Sequence, residues 1–370
     1  MKIALVCPYD FSRPGGVKSH IVVLSKYLRK SGHEVIIIAP SKNVQPLGED
    51  HVQFFGKNRS LNLWGTKIDI NIALGRERKT LREFIGKENF DIIHFHTFWN
   101  PVLPWQIRRF SQAKHVVTFH DTPKNRFVGR TIMPIAALGM FKLMDAIISV
   151  SETQASYINR LSKREISIIP NGIDLDEYLK PVEPIEKYLD GKFNLLFLGR
   201  LEERKGLIYA MKSYKALKQK NEGLRLIIAG DGDERSVAEA FIRKHSLPDV
   251  HLLGFVSEEM KLQLLKTADT FLTPALFGES FGIVLLEAMA MGVPVTGFAN
   301  EGYLNVLSDE QQKYFATPGD LDGLIGRIQF MINSKPILKS LSEQGQKVVK
   351  AYDWKEIIAQ IETIYNNAAR

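Results

Sequence analysis

The sequence predicts an α/β protein built from two consecutive doubly wound, Rossmann-like halves. Three observations carry this. At 370 residues the chain exceeds the size at which one hydrophobic core stops growing. Short apolar runs alternate with amphipathic stretches along its length, the pattern of a parallel sheet with crossover helices. The alternation restarts after residues 170–191, a stretch rich in proline and charge that reads as a linker.

In the first half, 2–8 reads as a buried strand and Pro14-Gly15-Gly16 as a tight turn. Residues 17–30 form a helix, because Ile21, Leu24 and Leu28 recur at helical spacing and Gly32 ends it. Residues 35–39 form the next strand, and this strand–turn–helix–strand unit implies parallel pairing. Further strands are expected at 53–55, 91–95, 115–119, 146–150 and 166–169. Helices are expected at 70–85, 101–110, 127–143 and 152–161. Pro170-Asn171-Gly172 marks a turn. In the second half, strands are expected at 194–199, 225–229, 251–253, 270–273 and 293–296. Helices are expected at 206–219, 234–244, 258–266, 281–291, 321–332 and 336–352, with a last helix, 354–366, after Asp353. The expected domains are 1–182 and 183–353. Ligands of such sheets bind beyond the carboxyl ends of the strands, so the two halves are expected to share a cleft.

Composition narrows the class. Hydrophobic residues make up 45% and charged residues 24%, as in soluble globular proteins. The one cysteine, Cys7, excludes a disulfide framework and a cysteine metal site, and points to a reducing compartment. No apolar run reaches membrane-spanning length, and the first residues do not read as a signal peptide. Net charge is +8 and uneven. Residues 1–180 hold 26 Lys+Arg against 16 Asp+Glu, and the remainder 23 against 25. The basic half calls for an anionic partner.

The stretch 277–290 is a loop opening into a helix, with Glu279 in the loop and Glu287 eight residues on. Eight helical residues span about 12 Å, the reach from the sugar to the ribose of a nucleotide-diphospho-sugar. The helix N-terminus between them suits a diphosphate. The loop from Gly199 to Gly206 carries Arg200 and Lys205 after a strand, where two cations hold a diphosphate and stabilise a leaving nucleotide. Gly15 and Gly16 bring backbone N–H groups near a phosphate or sugar. This turn lacks the glycine pattern of a dinucleotide site. Asp231-Gly232-Asp233 reads as a helix cap rather than a metal pair. His94-x-His96 has no evident third ligand and is not read as zinc. His120 ends an apolar strand and sits where an active-site residue of this architecture sits.

Together these residues resemble the retaining glycosyltransferases of family four, which have the GT-B fold. The resemblance rests on Pro14-Gly15-Gly16, His120, Asn171-Gly172-Ile173-Asp174, Gly199-Arg200 with Lys205-Gly206, and Glu279-x₇-Glu287. It covers essentially the whole chain. Within the family the likeness is nearest to bacterial phosphatidylinositol mannosyltransferases. It implies that Glu279 and the N–H groups of Phe281 and Gly282 hold sugar hydroxyls, with Ser280, Ile283 and Val284 beside them. Arg200 and Lys205 would hold the diphosphate, Glu287 the ribose, Gly16 the phosphate and His120 the sugar near the reacting carbon. The helix at about 354–370 would cross back to the first domain. No metal or other cofactor is implied. Two departures stand out. Family members often carry two glycines and a glutamate after strand 293–296, where this chain has Gly297-Phe298-Ala299-Asn300-Glu301. The Arg200-to-Lys205 spacing is also one residue shorter than in the mannosyltransferases.

The base is expected near Gly254-Phe255-Val256-Ser257-Glu258, and Gly230 is expected among the donor-binding residues. A carboxylate accepts from both N–H donors of guanine, and uracil offers only one, which favours GDP-mannose. The acceptor side is expected at Tyr9, Asp10, Lys18 and Arg59, and on the helix bearing Arg76, Arg78, Lys79 and Arg82, near Phe98, Trp99, Trp105, Arg108 and Arg109. Cations beside exposed aromatics suit an anionic membrane surface. The expected acceptor is therefore a phosphorylated or lipid-linked hydroxyl such as that of phosphatidylinositol. The expected location is cytoplasmic, peripheral on the inner membrane face. Rival readings are a UDP-sugar transferase with a soluble or diacylglycerol acceptor, a sugar-nucleotide epimerase, and a basic nucleic-acid binder. The last lacks an aromatic-interleaved basic stripe.

Overall fold

The computed structural model describes residues 1–12, 15–40, 51–63, 66–97, 102–120, 141–159 and 165–370, with backbone alone for 57–63, 66–70, 157 and 158. Pro14, Phe98, Trp99, most of the expected helix 127–143, and the side chain of Arg59 lie outside the described residues. The chain divides into two compact units, Met1–Gly172 with Trp354–Arg370, and Ile173–Asp353.

The first unit is built on a seven-stranded parallel sheet. Its strands are β1 (Lys2–Val6), β2 (Glu34–Ala39), β3 (Val52–Phe54), β6 (Ile92–His96), β7 (Lys114–Phe119), β8 (Ala146–Ser149) and β9 (Ile166–Ile168), in the order β3-β2-β1-β6-β7-β8-β9. The side chains of the inner strands β2, β1, β6, β7 and β8 are mostly buried on both faces, hence their near-continuous apolar runs. One face packs on α1 (Gly16–Lys30) and on the last helix, Trp354–Ala369, through Ile21, Leu24, Trp354, Ile357, Ile361 and Tyr365. A Cβ on Gly172 would come within 2.6 Å of the Trp354 ring, so the Asn171-Gly172 turn accepts no side chain there. The other face packs on α2 (Gly75–Glu88) and α3 (Val102–Phe110) through Leu81, Ile85, Leu103 and Ile107.

The expected helix 70–85 is corrected here. Residues before Gly75 form an antiparallel hairpin, β4 (Lys57–Leu63) with β5 (Thr66–Ile72). Ile68, Ile70 and Ile72 alternate with polar residues, a period of two, and β-branched side chains favour a strand.

Five histidines of this unit, His20, His94, His96, His115 and His120, are buried. Burial holds His94 down to about 3. Burial, with the nearby Arg108 charge, takes His115 to about 4. Both groups bind protons more weakly folded than unfolded. Their stabilising contribution is therefore complete above about pH 6.5 and is lost as pH falls toward 4. Thermal melts are expected to show the unit losing stability between pH 7 and 5. A Tm that rises over that interval would contradict the assignment of neutral rings.

The second unit holds a six-stranded parallel sheet in the order β12-β11-β10-β13-β14-β15. Its strands are β10 (Phe193–Leu198), β11 (Leu224–Ala229), β12 (Val250–Gly254), β13 (Thr270–Thr273), β14 (Val295–Phe298) and β15 (Phe315–Ala316). Helices Leu207–Lys218 and Leu321–Ile332 cover one face through Met211, Tyr214, Leu324 and Ile328. Residues 173–182 belong to this unit, not with residues 1–172. Ile173 bridges to Asp353, and Tyr178 hydrogen-bonds Glu287. Among the described residues no helix is long and apolar enough to cross a membrane.

Candidate active site

In the second unit the strand order reverses between β10 and β13, which are neighbours in the sheet. The crevice beyond the carboxyl ends of such a pair is where open α/β sheets bind ligands. The two loops leaving these ends are 199–206 and 274–282, the two motif stretches of the sequence. They are stitched together, since the Leu276 N–H donates to the Arg204 carbonyl at 2.8 Å. Gly206 has φ +71°, and a Cβ on it would lie 1.9 Å from the Pro274 carbonyl oxygen.

Glu279 is the centre of this crevice. Its Oε1 lies 2.5 Å from an Arg204 guanidinium nitrogen and 2.8 Å from Lys205 Nζ. All three side chains are largely buried. Arg204 also holds Glu202 at 2.7 Å and donates to the Gly278 carbonyl at 3.2 Å. Burial opposes the Arg204 charge, but Glu279 and Glu202 outweigh it and hold its pKa above the ordinary value. A carboxylate pinned between two cations at a strand end can accept from hydroxyl groups, and its cations can hold an anion that enters. Arg200 does not join them. Its side chain is 68% exposed and pairs with Glu202 at 2.6 Å.

Past Gly282 the helix Ile283–Ala290 begins, with its first N–H groups directed to the same end. Gly282 has φ +99°, and a Cβ on it would come within 2.7 Å of the Tyr303 ring. Ser280, Ile283 and Val284 are half-buried, while Phe281 is buried with its ring against Tyr352 at 5.6 Å. Only the backbone of Phe281 therefore remains to contact a ligand. Glu287 lies one face along. It accepts from the Tyr178 hydroxyl at 2.8 Å and pairs with Lys261 Nζ at 2.9 Å. Lys261 reaches Glu258 at 2.5 Å as well, so Glu258, 86% exposed, and Glu287 share one cation. Burial opposes the Lys261 charge, and Glu287 with Glu258 raises its pKa in spite of it. Val256 is half-buried. Gly230 has a packing role. At φ +142° its Cβ would lie 1.8 Å from the Gly199 carbonyl oxygen. Asp231 accepts from the Gly232 N–H at 2.8 Å, and the expected helix cap is absent, because the cap position falls on Glu234 with no side-chain bond.

In the first unit, Gly15 precedes α1 with extended backbone, and nothing lies within 4 Å of a Cβ built on Gly15 or Gly16. His120 follows β7. Burial takes it to about 3, so the ring is neutral at pH 7. Its Nε2 lies 3.0 Å from His96 Nδ1. His94 is spent on structure, 2.7 Å from both the Tyr365 hydroxyl and Thr118 Oγ1. Asp10 is buried and accepts from the Ser12 hydroxyl at 2.7 Å, so it shapes its own turn. Tyr9 is exposed, and Lys18 Nζ sits 4.8 Å over the Phe11 ring. Arg76, Arg78, Lys79 and Arg82 are all exposed on α2. A shallow groove of about 620 Å³ beside them is lined by Arg78, Trp105, Arg108, Arg109 and Phe110, among others.

Two family models match this chain, Glycosyltransferase Family 4 over residues 14–177 and Glycosyl transferases group 1 over residues 183–348. A phosphatidyl-myo-inositol mannosyltransferase of Propionibacterium freudenreichii subsp. shermanii is 31% identical, covering 100% of this chain and 96% of its own. The chain belongs to the family-four glycosyltransferases. A protein of the same printed name from Mycolicibacterium smegmatis is 28% identical over 100% of this chain and 94% of its own. Among solved structures, Anabaena HepE in complex with UDP superposes with a TM-score of 0.80 at 19% identity, covering 99% of this chain and 100% of that one. Sucrose-phosphate synthase from Thermosynechococcus elongatus gives 0.76 at 20% identity, covering 99% and 98%. This glycosyltransferase therefore has the GT-B fold, with two parallel sheets flanked by helices.

Sequence reasoning missed three residues of the candidate site. Arg204 sits next to Lys205, but nothing local shows that it, rather than Arg200, reaches Glu279. Lys261 is three residues after Glu258 on one helix, a spacing that pairs charges and was readable. Tyr178 is 109 residues from its partner Glu287 and had no local signal.

Proposed function

We propose that this glycosyltransferase moves a hexose, with mannose from GDP-mannose favoured, to a hydroxyl of a phosphorylated or lipid-linked acceptor such as phosphatidylinositol. The configuration is retained and no metal is required. The observation that carries the reading is Glu279 held between Arg204 and Lys205 at the switch point of the second sheet. Glu279 binds sugar hydroxyls. The two cations and the N-terminus of the Ile283–Ala290 helix take up the charge that grows on the departing nucleotide, the work a metal does in other transferases. Glu287, oriented by Tyr178 and Lys261, accepts from the ribose hydroxyls. Exposed Glu258 accepts from the guanine edge. The role of neutral His120 is a hydrogen bond to a sugar hydroxyl. The relatives' printed name supports the sugar and the acceptor. The rival donor class is a UDP-sugar, which the UDP in the HepE structure favours.

The test is a panel of GDP- and UDP-sugars offered with phosphatidylinositol vesicles in the presence of a chelator, with products read by mass spectrometry. Mannosyl transfer from GDP-mannose, undiminished by the chelator, is expected. Tight calorimetric binding of UDP with none of GDP would overturn the donor assignment, and sugar isomerisation without transfer would point to an epimerase.

The acceptor side lies on α2 and α3, where the exposed cations flank the aromatic-lined groove. Its proposed surface is an anionic membrane at the inner face of the cell membrane. In liposome flotation the chain is expected to rise with phosphatidylinositol or phosphatidylglycerol vesicles and to stay behind with neutral ones. Equal partition to both would sink this idea.

A further inference from the structure

We propose that Glu202 is an internal stand-in for the donor's diphosphate: its carboxylate occupies the two guanidiniums beside the crevice, and donor affinity is set by the exchange of one anion for the other. The inference rests on the reading that this crevice takes a nucleotide-diphospho-sugar, and it adds to that reading a residue that works against binding.

The geometry is that of a bridging carboxylate. Glu202 Oε1 lies 2.6 Å from an Arg200 guanidinium nitrogen, and its Oε2 lies 2.7 Å from Arg204 Nε. Each oxygen serves one arginine, as the oxygens of a diphosphate would serve the same pair. Helix capping does not account for this placement. Glu202 stands at the N-terminus of the short 3-10 helix Glu203–Lys205, yet its side chain makes no cap hydrogen bond. The backbone holds that turn, with the Lys205 N–H donating to the Glu202 carbonyl at 2.9 Å. The carboxylate is turned to the cations instead.

Charge and burial decide which carboxylate yields. Three cations, Arg200, Arg204 and Lys205, face two carboxylates, Glu202 and Glu279, which leaves one positive charge over. A diphosphate diester bears a charge on each phosphate, so it enters against cations that are already largely neutralised. The Glu279 side chain is 10% exposed and held by both Arg204 and Lys205, while that of Glu202 is 30% exposed. Releasing Glu202 to water therefore costs less than releasing Glu279. Arg204 keeps a partner when Glu202 leaves. Burial opposes the Arg204 charge, and Glu279 offsets that more than Glu202 does. Among the described residues Glu202 is the one carboxylate paired with exposed Arg200, so loss of that pair frees Arg200 to turn to the crevice.

Calorimetric titration of the full chain with GDP and with UDP, at low salt, is the test. Glu202→Gln keeps the size of the side chain and a neutral acceptor for Arg204. It is expected to bind whichever nucleotide the wild type binds about tenfold more tightly, since an anion beside the diphosphate is removed. Glu203→Gln removes the same charge one residue on, from an exposed side chain, and is expected to stay within about twofold of the wild type. Added salt is expected to narrow the gap between Glu202→Gln and the wild type, because partly exposed charges are screened. A wild type that binds a nucleotide, with a folded Glu202→Gln that binds it equally or more weakly, overturns this proposal and leaves the donor reading standing. Equal tightening by Glu203→Gln overturns it too, since the effect would then be one of net charge and not of the bridge. A wild type that binds neither GDP nor UDP overturns the donor reading and this proposal with it. If Glu202→Gln does not fold, Glu202→Asn makes the same comparison.

Discussion

Glu279→Gln is expected to lower kcat/KM by about 10²–10³-fold while the melting temperature changes little, because removing one preorganised electrostatic contact at a reacting centre costs that much. Gln matches Glu in size, so the buried crevice keeps its packing. What disappears is the charge that Arg204 and Lys205 share. Arg204 keeps Glu202 as a partner and does not become a buried lone cation, which is why the fold survives. The proposed sugar site loses its charged acceptor, and the cations lose the carboxylate they share. Steady-state kinetics with thermal melts on the same preparations decide the matter. A variant with wild-type turnover would remove Glu279 from the chemistry. A variant that fails to melt cooperatively would make its role structural.

Gly206→Ala is expected to be the more damaging change to the fold. The residue sits at φ +71°, and the new Cβ would meet the Pro274 carbonyl oxygen at 1.9 Å. Left-handed backbone costs a non-glycine residue about 1 kcal/mol, and moving the backbone carbonyl that follows β13 costs more. A total of about 3 kcal/mol lowers Tm by about 6–12 °C in a unit of this size. Gly191→Ala is the control. It has φ +85° with nothing within 4 Å, so it carries the strain without the clash. Its expected loss is about 1 kcal/mol. Equal shifts for the two would show that the contact between the loops does not matter. Activity is expected to fall with Gly206→Ala as well, because the same contact sets the approach of Arg204 and Lys205 to the crevice.

Much of this was legible in the chain itself. The alternation of apolar runs with helical spacing placed most strands and helices, since periodicity is a local property. The failure at 70–85 was also local. Ile68, Ile70 and Ile72 announced a strand by their alternation, and the adjacent helix pattern was extended over them. The Glu279 and Glu287 pair, the Gly199–Gly206 loop and the position of His120 were readable because each sits at a strand end in a repeating pattern. Roles that depend on who meets whom were not. Arg200 and Arg204 are chemically alike and four residues apart. Only the turn that ends at Gly206 shows that Arg204 points inward while Arg200 faces solvent.

The sequence alone determined the class of fold, the family and the stretch that carries the second-unit site. These follow from hydrophobic period, glycine and charge placed along one dimension. The tertiary structure decided the partners. It set Tyr178 and Lys261 on Glu287, chose the cations on Glu279, spent His94 on Tyr365, and gathered His20, His96 and His120 from three elements. The physical reason is the strand order. In the first sheet β1 lies beside β6, and in the second β10 lies beside β13. Each pairing joins residues far apart in the chain, and buried polar atoms then find partners by proximity in space rather than along the sequence.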